Sequence, residues 1–84
     1  MNRYYIDLIN GHGLVRDEEG QDFPSREAMR AEAVRILPEV ARDELPSSKE
    51  ERFTVKVRDE DGRYVYEATL VVAEKWLDES VSGS

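Results

Sequence analysis

The chain has 84 residues and carries twelve Lys and Arg against nineteen Asp and Glu, a formal charge of −7. That length holds one ordinary hydrophobic core, the absence of cysteine removes disulfides and thiolate chemistry, and no apolar run approaches the roughly 20 residues that span a bilayer. Nucleic-acid affinity comes from cations that displace counterions from phosphate, so an acidic chain with singly scattered arginines points away from nucleic acid and from anionic membrane surfaces.

At the N-terminus, Arg3-Tyr4-Tyr5-Ile6-Asp7-Leu8-Ile9 alternates with period two and predicts a half-buried strand with Tyr4, Ile6 and Leu8 inward. Asp7 stands too early for a signal peptide's apolar stretch, so a cytoplasmic location is expected. Asn10-Gly11-His12-Gly13 reverses the chain into a short strand, Leu14-Val15-Arg16, and Asp17-Glu18-Glu19-Gly20 makes an acidic turn.

Phe23-Pro24-Ser25 opens a helix, with the Ser25 hydroxyl as N-cap. Met29, Ala33, Val34, Ile36, Leu37, Val40 and Ala41 fall within an arc of about 160° at about 100° per residue. Pro38 removes a backbone donor at a cost of roughly 3 kcal/mol in a helix interior. One kinked helix is favoured over two short ones, ending near Glu44-Leu45 before Pro46-Ser47-Ser48. Arg52 to Arg58 predicts a strand with Phe53, Val55 and Val57 on one face and Thr54, Lys56 and Arg58 on the other. Asp61-Gly62 signals a hairpin, and residues 64–72 form the last strand, with Tyr66, Ala68, Leu70 and Val72 toward the helix. Trp76 and Leu77 are expected to pack on a sheet edge, and residues 78–84 to form a frayed tail after a single domain over 1–77.

The order strand, strand, helix, strand, strand implies an α+β fold: a two-layer ββαββ with a four-stranded antiparallel sheet and one helix on one face. Strand order 2-1-3-4 keeps every pair antiparallel. Two near-identical hexapeptides, Val15-Arg16-Asp17-Glu18-Glu19-Gly20 and Val57-Arg58-Asp59-Glu60-Asp61-Gly62, read as the same local grammar, a strand end running into an acidic turn closed by glycine.

No catalytic constellation is visible. His12 is the only histidine and lies in a turn between two glycines, without the orienting partner a general base needs. Ser25 is a cap, and no nucleophile elbow or phosphate-cradling loop occurs. The acidic turns miss the spacing of an EF-hand, so no metal or other cofactor is expected. The face of the sheet left open by the helix should carry Tyr5, Asp7, Ile9, Thr54, Lys56, Val65, Glu67, Thr69 and Val71, and Tyr5, Ile9, Val65 and Val71 are the candidate apolar interface. The expected partner is a second copy or another protein. Two alternatives are a small-molecule or metal-binding domain, and an acidic regulator of a nucleic-acid-binding protein.

Arg3-Tyr4-Tyr5-x-Asp7, Asp17-Glu18-Glu19-Gly20, Phe23-Pro24, Arg42-Asp43-Glu44-Leu45-Pro46, Val57-Arg58-Asp59-Glu60-Asp61-Gly62 and Ala68-Thr69-Leu70 occur in an order that resembles a family of small bacterial proteins of unknown function, common in soil and plant-associated bacteria. The resemblance spans residues 3–72 and implies the same ββαββ fold and a bacterial cytoplasm. It brings no activity, cofactor or site residue.

Overall fold

A computed structural model of the chain describes residues 2–10, 13–44 and 50–78. His12 and the Pro46-Ser47-Ser48 linker lie outside the described residues, as do residues 79–84 of the expected tail. Five strands and one helix follow the chain as β1 (Asn2–Asn10), β2 (Gly13–Val15), β3 (Gln21–Phe23), α1 (Arg26–Glu44), β4 (Glu50–Arg58) and β5 (Tyr64–Ala73). The fold is α+β, with all pairings antiparallel and the order β2-β1-β4-β5. The expected sheet of four strands is corrected to five. β3 pairs with the first residues of β1, setting Asn2 against Phe23 and Tyr4 against Gln21.

β2 and β3 lie along the same edge of β1 and amount to one interrupted strand. Leu8 pairs with Val15 and Tyr4 with Gln21, so five residues, 16–20, stand opposite three, 5–7. The surplus is expelled as a loop, and Asp17 stitches it back. Its Oδ2 accepts the Ile6 N–H at 3.1 Å, in place of a ladder partner, and its Oδ1 accepts the N–H groups of Glu19 and Gly20. Asp59 makes a related turn in the second hexapeptide: its Oδ1 accepts the N–H groups of Asp61 and Arg63, and its backbone carbonyl accepts the Gly62 N–H. Gly20 and Gly62 both hold positive φ, +74° and +86°. The echo is therefore shared turn grammar: an Asp side chain imitates a backbone carbonyl, and a glycine closes the turn at left-handed φ.

Ser25 caps α1 through its hydroxyl, which accepts the Ala28 N–H at 3.0 Å, and its carbonyl accepts Met29 N–H. The helix is not split at Pro38. Pro38 lies on the exposed side, where water can reach the carbonyl that its missing N–H leaves unpaired. Met29, Ala33, Leu37 and Ala41, every fourth residue, are buried against Tyr4, Phe23, Phe53, Val55 and Val57, with Ile36 and Val40 half-buried beside them. The stripe is narrower than the predicted arc, and Val34 at its margin is exposed, because α1 rests on β3, β4 and β5 and does not extend over β2. β4, central in the sheet, supplies Phe53, Val55 and Val57, each without solvent exposure. Burying a side chain of that size is worth about 1.5–3 kcal/mol. Trp76 and Leu77 do not pack on the sheet: they are 81% and 84% exposed, since β5 ends at Ala73 and the chain leaves the layer there.

Candidate functional site

The face opposite α1 is organised by a carboxylate that the strand pattern places on a wet surface. Asp7 is fully buried. It projects from the middle of β1, and Arg58 projects from the end of β4 two residues along the ladder, Asp7 pairing with Lys56 and Tyr5 with Arg58. Arg58 donates Nε to Oδ2 and Nη2 to Oδ1 of Asp7, both at 2.9 Å, a planar fork on a planar carboxylate. Arg58 Nη2 also donates to the Asp17 carbonyl at 2.7 Å, the Asp17 N–H donates to Asp7 Oδ1 at 3.0 Å, and the Tyr64 hydroxyl donates to Asp7 Oδ2 at 2.8 Å. Each carboxylate oxygen of Asp7 thus accepts two hydrogen bonds. The 16–20 loop folds over the pair and takes it out of water.

A β-bulge puts Tyr64 in this network. Val57 pairs with Tyr66 but Arg58 pairs with Tyr64, so Val65 is the extra residue. By strict alternation Tyr64 would share the helix face with Tyr66, and Val65 would lie on the open face. The bulge reverses both: Val65 packs against the core cluster, and Tyr64 reaches Asp7. The Arg58 guanidinium lies 4.9 Å from the Tyr5 ring centroid and Lys56 Nζ 4.5 Å from that of Tyr64, distances at which a cation is attracted to an aromatic face. Gly20 closes the assembly. A Cβ there would come within 2.7 Å of the Tyr5 ring.

The electrostatics follow from these contacts. Burial alone would raise the Asp7 pKa, but Arg58, the Asp17 N–H and the Tyr64 hydroxyl outweigh it and hold the carboxyl at about 2. Burial likewise opposes ionisation of Asp17, and the N–H groups of Gly20, Ile6 and Glu19 overcome it and lower its pKa. The hydrogen bond to Asp7 raises the pKa of Arg58, and the same carboxylate raises that of Tyr64. A base held ionised at low pH with its acceptor positions filled takes up a proton poorly. The arrangement is suited to pinning the loop. Among the described residues no group of three or more His, Asp or Glu is placed to hold a metal ion, and no helix is long and apolar enough to cross a membrane.

The four residues of the expected apolar interface do not form one patch. Tyr5 lies beneath Arg58 and beside Gly20, and Val65 has turned toward the core. Ile9 is half-buried, flanked by Leu14 on β2 and Thr54 on β4. Val71, 48% exposed, lies two strands away beyond the Thr54–Thr69 hydroxyl pair. Asp7, also expected on that face in contact with water, is the center of the buried network instead. Sequence reasoning missed the Asp7–Arg58 pair, although the alternation of their strands assigns both to the same face, where opposite charges on adjacent strands are the available signal.

A second feature lies at the sheet margin. β5 is ten residues long and pairs only with β4 among the described residues, so no described strand pairs its outer backbone edge. It contains no proline or lysine, and Glu67 is its one formally charged residue.

A protein-family model described as Domain of unknown function (DUF6894) matches residues 3–71. No curated protein and no solved structure matches the chain.

Proposed function

This chain belongs to the DUF6894 family, and from that premise we propose that it is a non-catalytic interaction module of the bacterial cytoplasm that associates with itself. The observation that carries this reading is the β5 edge. Long unpaired edges recruit other strands, and proteins usually blunt them with short strands, lysine, proline or inward charge. The opposite margin of this sheet is blunted: β2 and β3 are three residues each, separated by a charged loop. β5 retains only its bulge, confined to the Tyr64 end. Small cysteine-free domains also gain burial by oligomerising. The mixed, hydrogen-bonded open face suits association less well than this edge does.

Light scattering across a concentration series tests the reading. The expected species at high micromolar concentration has twice the 9.7 kDa mass of one chain. A strict monomer throughout that range overturns self-association.

A further inference from the structure

We propose that two copies join their β5 strands antiparallel about a two-fold axis at Thr69, merging two sheets into one. This rests on the self-association reading and adds the partner strand, its register and the contacts that select it.

Residues directly opposite in an antiparallel pair point to the same face. The permitted registers therefore set Tyr66, Ala68, Leu70 and Val72 against one another, and Glu67, Thr69 and Val71 against one another, along the straight part of β5 that follows the bulge. Charge and length choose among them. An axis at Ala68 sets each Glu67 diagonal to the other, and like charges that close oppose pairing. An axis at Leu70 leaves Tyr66 facing residue 74, past the end of the partner's β5. An axis at Thr69 uses the whole stretch 66–72 and moves the glutamates apart.

In that register Glu67 faces the partner's Val71. In the β4–β5 ladder Val71 pairs with Arg52, on the same open face and also exposed. Glu67 and the partner's Arg52 then stand two strands apart, about 10 Å between Cα atoms, a gap that these two long side chains cross above Val71. The symmetry makes the contact twice, and a net-negative chain meets its own copy through opposite charges. On the helix face, Tyr66, Ala68, Leu70 and Val72 are only half-buried within one copy. Pairing covers them with their counterparts, Tyr66 against the partner's Val72 and Ala68 against the partner's Leu70. These aromatic–β-branched and aliphatic pairs stabilise sheets.

The natural chain has no cysteine, so one introduced thiol reports one position. Under copper–phenanthroline oxidation of the full-length protein, T69C is expected to cross-link to itself. E67C and V71C are expected to link to each other when mixed and poorly when alone. E67R is expected to weaken association by about tenfold, the scale of two surface ion pairs, and the double variant E67R/R52E to restore it. If the wild-type protein is a dimer by light scattering while T69C and the E67C–V71C mixture stay unlinked, the register falls and self-association stands. Cross-linking by L14C in their place moves the interface to the other margin and likewise overturns the register. A wild-type monomer overturns both.

Discussion

The two margins of the sheet are built on opposite plans. On the β2–β3 side the return strand carries two residues more than β1 can pair, and the surplus is fastened by Asp17, Arg58 and Asp7. On the β5 side the strand runs ten residues with a single charge, and no described strand pairs with its outer edge. One margin spends polar contacts on closing a local irregularity, and the other leaves its backbone open. The contrast teaches that the buried polar network and the open backbone edge are separate features: the chemistry that looks most like an active site holds the guarded margin, and the plain strand lines the margin that we propose for docking.

The largest expected effect comes from breaking the guarded side at its center. R58M leaves the Asp7 carboxylate buried without its cation, and urea denaturation should show a loss of about 3–5 kcal/mol. Acid acts on the same contact. Asp7 is held at about 2, against about 3.9 in an unfolded chain. Because the folded value is the lower one, the unfolded chain binds the extra proton in that window. The contribution of about 2–3 kcal/mol is complete above about pH 5 and is lost progressively as pH falls through 2. Unfolding free energies from urea titrations at pH 6 and pH 3 should differ by about half of that contribution through Asp7 in the wild type, and this part of the difference should be absent in D7N.

The two acidic turns allow a finer comparison. G20A meets both the left-handed φ and the Tyr5 ring, and should cost about 2–4 kcal/mol. G62A meets the same backbone demand with nothing within 4 Å, and should cost about 1 kcal/mol. Equal losses at the two sites would show that the Tyr5 contact is irrelevant. The smallest effect is expected from Y64F, which removes one of four hydrogen bonds to Asp7; the carboxyl pKa followed by NMR should rise while the fold persists. On the open margin V71E should barely change the stability of one copy, where the side chain is exposed, and lower the dimer fraction seen by light scattering, because in the proposed register it stands opposite the partner's Glu67.

Much of this architecture is local and therefore legible in residues alone. The period-two pattern of Phe53, Val55 and Val57, the Ser25 cap and the Asp–Gly turns each depend on a few neighbours along the chain, and the antiparallel pairing of β1 with β2 and of β4 with β5 follows from short connections. The candidate apolar patch failed where it relied on unbroken alternation. The bulge at Val65 exchanges the faces of Val65 and Tyr64, and nothing in Tyr64-Val65-Tyr66 marks where it falls.

By itself, the order of amino acids determined the helix and four of the five strands, the capping and turn chemistry, the inward faces of β4 and α1, and the net negative charge. Tertiary structure alone decided that residues 51 positions apart, Asp7 and Arg58, would share one desolvated site, that β3 would complete the margin begun by β2, and that Tyr64 would face away from the core. The physical reason is range. Helix caps and turns are settled within about one turn of chain, whereas a buried ion pair exists only when distant strands, a bulge and a loop together exclude water from it.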